Sequence, residues 1–195
     1  MNTLFSHVCV VTMDERMSVW TDAFVGVTDG KISYLSKHAP EEKPAQIIDA
    51  TGMVLMPGLI NCHTHLPMQL LRGYADDLKL QEWLNDYIFP REDRLDGRCV
   101  RAATTLAVAE CLKFGVTSVS DMYYFCDDIC DVIAKSGMKA NISRGTSMFL
   151  GDDFCFDTFP ACRELVELKD KWHNYDNGRI KIEASIHAEY TSTYQ

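Results

Sequence analysis

The order of apolar and polar residues along the first 50 positions predicts short strands joined by turns. Alternating apolar runs meet at Asp29-Gly30, and the predicted strands cover 5–12, 23–28 and 31–35. An Asp-Gly pair between two such runs is typical of a two-residue hairpin, because both turn positions need a positive φ. The polar stretch 38–45 carries two prolines and is predicted to be a loop.

From about residue 52 the pattern changes to strands that alternate with helices. An apolar run over 53–60 leads into His63-Thr64-His65. The helices that follow are predicted at 94–114, 127–136 and 160–173, and the strands at 116–124, 139–147 and 179–187. Strands in alternation with helices predict βαβ units and a parallel sheet. Four strands and three crossovers amount to half of a (β/α)8 barrel, which has eight of each.

Composition narrows the class of protein. The chain has 195 residues, of which 47% are hydrophobic and 24% are charged, so a packed core is expected rather than disorder. The net charge of -9 argues against nucleic acid as a partner, and no apolar window approaches the roughly 20 residues of a membrane helix. Without a recognisable signal peptide, the eight scattered cysteines are expected to be reduced, which favours a cytoplasmic protein.

The strongest candidate chemistry is the pair His63 and His65. A His-x-His spacing on a strand places both imidazoles on one face, and neutral imidazole is a common ligand of zinc. By itself the spacing also fits two histidines in a turn. Its position after an apolar strand, where barrel enzymes place their sites, favours a metal site.

A family resemblance covers the same region. The run MPGLINCHTHLPMQLLRGYADDLKLQEWLNDYIFPREDRL, residues 56–95, closely resembles the metal-dependent amidohydrolase superfamily. Within it, the sequence is most similar to the 5′-methylthioadenosine/S-adenosylhomocysteine deaminase and chlorohydrolase group. The resemblance continues through FGVTSVSDMYY at 114–124, Arg144 and HAEYTS at 187–192.

The resemblance implies a fold and a set of site residues. The fold is α/β, the N-terminal half of a metallo-dependent hydrolase (β/α)8 TIM barrel (56–195), preceded by strands of a small β-sandwich (1–55). The implied metal ligands are His63 and His65, which would hold one divalent ion, zinc or alternatively iron. The implied substrate contacts are Glu92, Arg144 and His187.

Each substrate contact also has a structural alternative. Glu92 fits a first-turn helix carboxylate favoured by the helix dipole. Arg144 could pair with Asp152 or Asp153 on the surface, and His187 could cap a strand.

The resemblance further implies one metal rather than two. Two-metal relatives place a bridging lysine or carboxylate at the end of the fourth barrel strand, where this chain has His187. Lys181 and Glu183 share the parity of His187 but lie about four to six residues earlier, at roughly 3.3 Å per residue. They are expected to be too deep to reach a metal at the mouth of the barrel.

The implied activity is hydrolysis of a carbon–nitrogen bond other than a peptide bond. The expected substrate is a small heterocycle, an adenine nucleoside such as 5′-methylthioadenosine or S-adenosylhomocysteine, deaminated by attack of metal-bound hydroxide. Alternatives are guanine or cytosine deamination, s-triazine dechlorination, or a non-catalytic half-barrel acting in assembly. No catalytic acid or base is identified in this chain, since the family places those residues beyond Gln195. The chain alone is therefore expected to be inactive and to self-associate, as a homo-oligomer or aggregate.

Overall fold

The computed structural model describes residues 1–148 and 153–192, and the chain divides into two compact units. The first is Met1–Gly58 and the second is Leu59–Gln195. Each unit has its own sheet and its own buried cluster.

The first unit is a single mixed sheet. Its strands are β1 (Thr3–Val11), β2 (Val19–Thr28), β3 (Lys31–Ser36), β4 (Gln46–Asp49) and β5 (Val54–Leu55). The order is β3-β2-β1-β4, and β5 also pairs with β1. Strand β1 runs antiparallel to β2 but parallel to β4 and β5. These strands form one sheet among the described residues, so a sandwich stays a prediction.

The hairpin between β2 and β3 turns at the predicted dipeptide. Asp29 has φ of 49° and Gly30 has φ of 74°, which confirms the two-residue turn with positive φ. The buried cluster of this unit comes from alternate positions of β1 and β2, together with one residue after β4. They are Val8, Val10, Ala23, Val25 and Ala50.

The second unit is built on a four-stranded parallel sheet. Its strands are β6 (Leu59–Thr64), β7 (Val116–Tyr123), β8 (Lys139–Thr146) and β9 (Ile180–Ile186). They pair in chain order, β6-β7-β8-β9, and every pair is parallel. The predicted parallel sheet with three crossovers is confirmed.

Helices fill the three crossovers. The first crossover holds a 3₁₀ helix at Leu66–Leu71 and a segment of three parts: α1 (Leu80–Glu82), a π-helical turn (Trp83–Ile88) and α2 (Phe89–Glu92). The remaining helices are α3 (Gly97–Lys113), α4 (Cys126–Ser136), α5 (Pro160–Trp172), α6 (Tyr175–Gly178) and a 3₁₀ turn at Glu189–Thr191. The segment 80–92 was not predicted, because it is short and irregular.

Local signals explain where the longer helices begin and end. The Asp96 carboxylate accepts the backbone N–H of Cys99 at 2.7 Å and caps α3, which begins three residues later than predicted. Helices α3 and α4 are followed by Gly115 and Gly137, whose φ values of 80° and 79° are the left-handed conformation that ends helices.

The core of the second unit lies between the sheet and its helices. Apolar side chains from β7, β8 and β9 pack there against those of α3, α4 and α5. The most deeply buried are Val100, Ile129, Ile133, Ile142 and Ile180. Among the described residues, no helix has both the length and the apolar character needed to cross a membrane.

Candidate functional site

The predicted site residues gather where the parallel strands end. His63 and His65 lie at the end of β6, Arg144 lies near the end of β8, and His187 follows β9 directly. Glu92 is the last residue of α2, in the crossover from β6 to β7. The carboxyl ends of parallel strands share one edge of the sheet, so the fold brings side chains distant in sequence to one side of the unit.

The two histidines of the His-x-His pair are neighbours. The ring centroids of His63 and His65 lie 5.3 Å apart, with the planes at 82°. Nδ1 of His65 lies 2.5 Å from the backbone carbonyl oxygen of Met122. A carbonyl oxygen can only accept, so Nδ1 carries the proton and Nε2 keeps its lone pair. This tautomer is the one that a metal-binding histidine needs when it binds through Nε2.

An irregularity in the sheet lies beside this pair. Between the paired positions Asn61–Val119 and Thr64–Asp121, two residues of β6 stand opposite one residue of β7. Such a bulge bends the strand and redirects its side chains, and bulges are frequent next to active sites. It falls at His63, just before the strand ends.

Asp121 is a buried carboxylate that the sequence analysis did not identify. Its Oδ1 accepts the hydroxyl of Thr64 at 2.7 Å and the backbone N–H of Leu66 at 2.7 Å. Burial raises the pKa of Asp121 to about 6, although these two hydrogen bonds and the nearby His65 act to lower it. The carboxylate therefore contacts the residue on each side of His65.

A pattern in the sequence could have indicated Asp121. It shares the parity of Val119 and Tyr123 on β7, and all three are buried. A charged residue at a buried position of an apolar strand requires a specific partner. The partners of Asp121 lie far away in the sequence, so only the fold identifies them.

Glu92 is held by a tyrosine rather than by a helix terminus. The Tyr123 hydroxyl donates to Oε1 of Glu92 at 2.6 Å. Burial raises the pKa of Glu92, and the Tyr123 hydrogen bond offsets part of that rise. The pKa of the Tyr123 hydroxyl is raised by burial and by the same hydrogen bond. Glu92 does lie in the first turn of the four-residue α2, as its structural alternative expects, but its carboxylate caps no backbone N–H and bonds Tyr123 instead.

Arg144 points into a polar cluster beside an aromatic ring. Its Nε lies 2.5 Å from Oε2 of Glu164, and one terminal nitrogen donates to the Gly145 carbonyl at 2.6 Å. The guanidinium carbon lies 4.8 Å from the ring centroid of Tyr124. The acidic partner is thus Glu164 of α5, and not Asp153, while Asp152 lies outside the described residues.

His187 is fixed at the end of β9. Its backbone N–H donates to the Thr146 carbonyl at 2.9 Å, and its Nδ1 lies 2.8 Å from the Thr191 hydroxyl oxygen. That hydroxyl donates to the Ala188 carbonyl at 3.2 Å, so it is placed to accept from Nδ1 and to leave Nε2 free. Burial lowers the pKa of His187, and the nearby His65 lowers it further, which favours the neutral ring.

Two adjoining cavities connect these residues. The smaller, of about 120 Å³, is lined by His65, Glu92 and His187, among others. The larger, of about 890 Å³, is lined by Glu92, Arg144 and His187. Glu92 and His187 line both, so four of the five predicted site residues border one continuous region. His63 lines neither cavity.

The side chains of the histidine pair offer nitrogen atoms of the type that zinc binds. His63 and His65 provide two imidazoles, and His65 already has the required tautomer. A catalytic zinc site takes three protein ligands, and no group of three or more His, Cys, Asp or Glu converges within residues 1–148 and 153–192. A third ligand beside His63 and His65 is thus not identified among the described residues.

The two buried cysteines of α4 are not suited to be this ligand. All eight are free thiols, as predicted. Cys126 and Cys130 are buried on α4, and burial raises the pKa of both thiols, which keeps them protonated.

Lys181 lies away from the site. Its side chain binds that of Asn174 at the start of β9, whereas the site residues lie where the strands end.

Comparison with known proteins gives one family. The model of the amidohydrolase family matches residues 54–195. A 5′-deoxyadenosine deaminase of Methanosphaera stadtmanae is 36% identical over 169 residues, covering 87% of this chain and 39% of the relative. A 5-methylthioadenosine/S-adenosylhomocysteine deaminase of Thermoanaerobacter pseudethanolicus is 33% identical over 191 residues, covering 98% of this chain and 44% of the relative.

A solved structure matches over nearly the same extent. An adenosine deaminase from Xanthomonas campestris with bound zinc superposes with a TM-score of 0.85 at 32% identity, covering 98% of this chain and 44% of that one. The chain thus spans about two fifths of the length of the curated relatives it matches.

Proposed function

This chain belongs to the amidohydrolase family, and from that premise we propose that its protein is a zinc-dependent hydrolase that deaminates an adenine nucleoside. 5′-Methylthioadenosine and S-adenosylhomocysteine are the substrates we favour. The observation that carries the proposal is the convergence of His65, Glu92 and His187 on one cavity. The names of the relatives, which are nucleoside deaminases, support the substrate class.

In this proposal the chain forms the first half of a (β/α)8 barrel. The parallel sheet β6-β7-β8-β9 with its crossover helices supports that interpretation, as does its similarity to an adenosine deaminase more than twice its length. The first unit then supplies part of a small sandwich. The residues that would complete both lie in other parts of such a protein.

His63 and His65 would hold the zinc ion together with ligands from the rest of the barrel. Zinc, when bound, lowers the pKa of a water molecule toward neutrality and so supplies a nucleophile at physiological pH. In the neutral ring, the Met122 carbonyl places the proton of His65 on Nδ1, which leaves the lone pair of Nε2 for the metal. His63 and His65 are the metal ligands that we assign in this chain, and iron is the alternative ion.

Glu92 and His187 would contact the heterocycle. The raised pKa of Glu92 lets its carboxyl group hold a proton closer to neutral pH, where it can donate to a ring nitrogen. Nε2 of His187, left free by the Thr191 contact, provides a further polar contact with the substrate. Arg144 lines the larger cavity, which has room for the ribose and its 5′ substituent.

We also propose a cellular compartment and a class of partner. Free thiols at all eight cysteines fit a reducing compartment, and we propose the cytoplasm. A net charge of -9 is unfavourable for nucleic acid, so we propose a small-molecule substrate and no nucleic-acid partner.

The test is a comparison of histidine variants in the protein at its full encoded length. His63→Ala and His65→Ala should each remove stoichiometric zinc, measured by metal analysis, and abolish ammonia release from 5′-methylthioadenosine. His38→Ala, at an exposed loop position, is the matched control and should keep both properties. Retained zinc with normal turnover in the site variants would refute the assignment.

A substrate panel separates the alternatives. Ammonia release from S-adenosylhomocysteine, 5′-deoxyadenosine, guanine and cytosine, and chloride release from a chlorinated s-triazine, are compared at equal enzyme concentration. Preference for the adenine nucleosides is expected. A higher kcat/KM for guanine, cytosine or the triazine would reassign the substrate, and the absence of turnover with zinc bound would favour a non-catalytic role.

A further inference from the structure

Two consecutive residues of β7 contact the end of β6 at three points, and the carbonyl of the residue before them also accepts the Thr64 hydroxyl, at 3.0 Å. The Asp121 carboxylate accepts the Thr64 hydroxyl and the Leu66 backbone N–H, each at 2.7 Å. The Met122 carbonyl accepts Nδ1–H of His65 at 2.5 Å. His65 is therefore held through its ring and through both of its neighbours in the chain.

The sheet itself provides little of this restraint. Regular β6–β7 pairing is interrupted between Asn61 and Thr64, where two residues of β6 stand opposite one of β7. The strand ends at Thr64, and a 3₁₀ helix begins at Leu66. The backbone that carries both histidines thus lies where ladder hydrogen bonds are sparse, and side-chain hydrogen bonds take their place.

The environment of Asp121 indicates a role beyond stability. The residue is 1% exposed, and its Oδ2 has no hydrogen-bond partner among the described residues. A buried carboxylate that is only partly satisfied is unfavourable for folding. Its two hydrogen bonds through Oδ1 both act on the segment that carries His65.

We propose that Asp121 is a positioning residue for the metal centre, which fixes Thr64 and Leu66 and thereby holds Nε2 of His65 where it can bind the ion. The inference rests on the proposed function, since it takes His65 to be a metal ligand. Asp121 itself does not bind the metal. Residues that orient a metal-binding histidine typically change metal affinity by about 10- to 100-fold when they are mutated.

The experiment measures zinc affinity by competition with a chelator in the protein at its full encoded length. Asp121→Asn keeps the size of the side chain but weakens the two contacts, and the zinc dissociation constant should rise by about tenfold or more. Thr64→Val keeps the shape of the side chain but removes the hydroxyl that contacts Asp121 and the Ser120 carbonyl, and it should raise the zinc dissociation constant by about threefold or more. All measurements are made at a temperature at which circular dichroism shows the apo variants to be folded.

Thr104→Val is the matched control. Thr104 is a fully buried threonine of α3 whose hydroxyl has no hydrogen-bond partner among the described residues. Its substitution should leave zinc affinity within about twofold of the original, because it keeps the branched shape of the side chain and removes a hydroxyl that has no partner among the described residues. An equal loss of affinity in Thr104→Val would attribute the effect to general destabilisation and would overturn the inference.

The tautomer of His65 gives an independent readout. In the apo protein, ¹⁵N NMR of the imidazole should show the proton on Nδ1, and Asp121→Asn and Thr64→Val should reduce the population of that tautomer. If Asp121→Asn does not fold, Thr64→Val decides between the outcomes.

Different outcomes would contradict the proposed function and the positioning role of Asp121. Zinc retained by His65→Ala would overturn the proposed function and this inference with it. Zinc lost from His65→Ala, but bound with original affinity by Asp121→Asn and Thr64→Val, would overturn the positioning role of Asp121 alone.

Discussion

Glu92 lies 31 positions before Tyr123 in the chain, yet the two side chains share a 2.6 Å hydrogen bond beside His65. The tyrosine occupies one carboxylate oxygen and so orients the other. Because the segment that carries Glu92 is short and follows a π-helical turn, this contact fixes the side chain more than its own helix does.

At the residue scale we predict that Glu92→Gln lowers kcat/KM for 5′-methylthioadenosine by more than about tenfold, or about 1.4 kcal/mol, with little change in stability. The amide keeps the volume and can still accept from Tyr123, but it cannot exchange a proton with the heterocycle. Steady-state kinetics and thermal unfolding of the full-length protein measure the two effects.

Glu82→Gln, at an exposed position in α1, is the control and should change neither quantity. A large loss of stability in Glu92→Gln, together with unchanged specific activity, would instead assign Glu92 a structural role.

At the element scale, Arg179 connects the start of β9 to the end of α4. Its guanidinium donates to the carbonyls of Ile133, Ala134 and Met138 at 3.1, 3.0 and 2.8 Å. The last carbonyls of a helix lack partners within the helix. Since the Arg179 side chain is only 15% exposed, water is poorly placed to replace it.

We predict that Arg179→Met lowers the free energy of unfolding by about 2 kcal/mol, because it leaves these carbonyls without a charged donor. Urea denaturation of the apo protein provides the measurement. Arg163→Met, at an exposed position of α5, is the matched control and is expected to change stability by less than about 0.5 kcal/mol. Equal effects of the two substitutions would show that the contacts of Arg179 contribute nothing specific.

At the scale of the whole molecule, the parallel sheet has two open edges. Within the described residues, β6 and β9 each pair with a neighbour on one side only. Exposed apolar side chains accompany both edges, with Ile60 at 67% and Ile186 at 70% exposed. An unpaired edge with apolar side chains is a template for pairing with another chain.

We therefore predict that residues 1–195, produced alone, self-associate and do not deaminate 5′-methylthioadenosine even with added zinc. Ile60→Lys and Ile186→Lys should shift the chain toward the monomer, whereas Met17→Lys, at an exposed position of the first unit, should not. Size-exclusion chromatography with light scattering, run beside an ammonia-release assay, measures both properties. A monodisperse 22 kDa species with zinc-dependent turnover would contradict the prediction.

Periodicity along the chain was sufficient to predict the parallel sheet β6-β7-β8-β9 and its three longer helices. The alternation of apolar residues over 179–187 places Ile180 and Ile182 in the core and leaves Lys181 exposed, as the structure shows. The Asp-Gly hairpin and the helix-ending glycines follow from backbone conformation alone, which depends on residues adjacent in sequence. The His-x-His pair was also identified from the sequence, but the bulge at His63 and the end of β6 at Thr64 interrupt the strand parity on which its geometry was predicted.

The contacts within the site depended on the tertiary structure. Asp121 lies 57 positions from Thr64, and no local pattern relates their side chains. Their contact, like that of Glu92 with Tyr123, arises because parallel strands and their crossovers bring distant segments to one edge of the sheet. The bulge before Thr64 and the π-helical turn also depend on packing between segments. The sequence by itself therefore determined the strands, the longer helices and the candidate site residues that we propose, because local propensity acts over a few residues. The fold decided which neighbours orient those residues, because hydrogen-bond partners are selected by proximity in space.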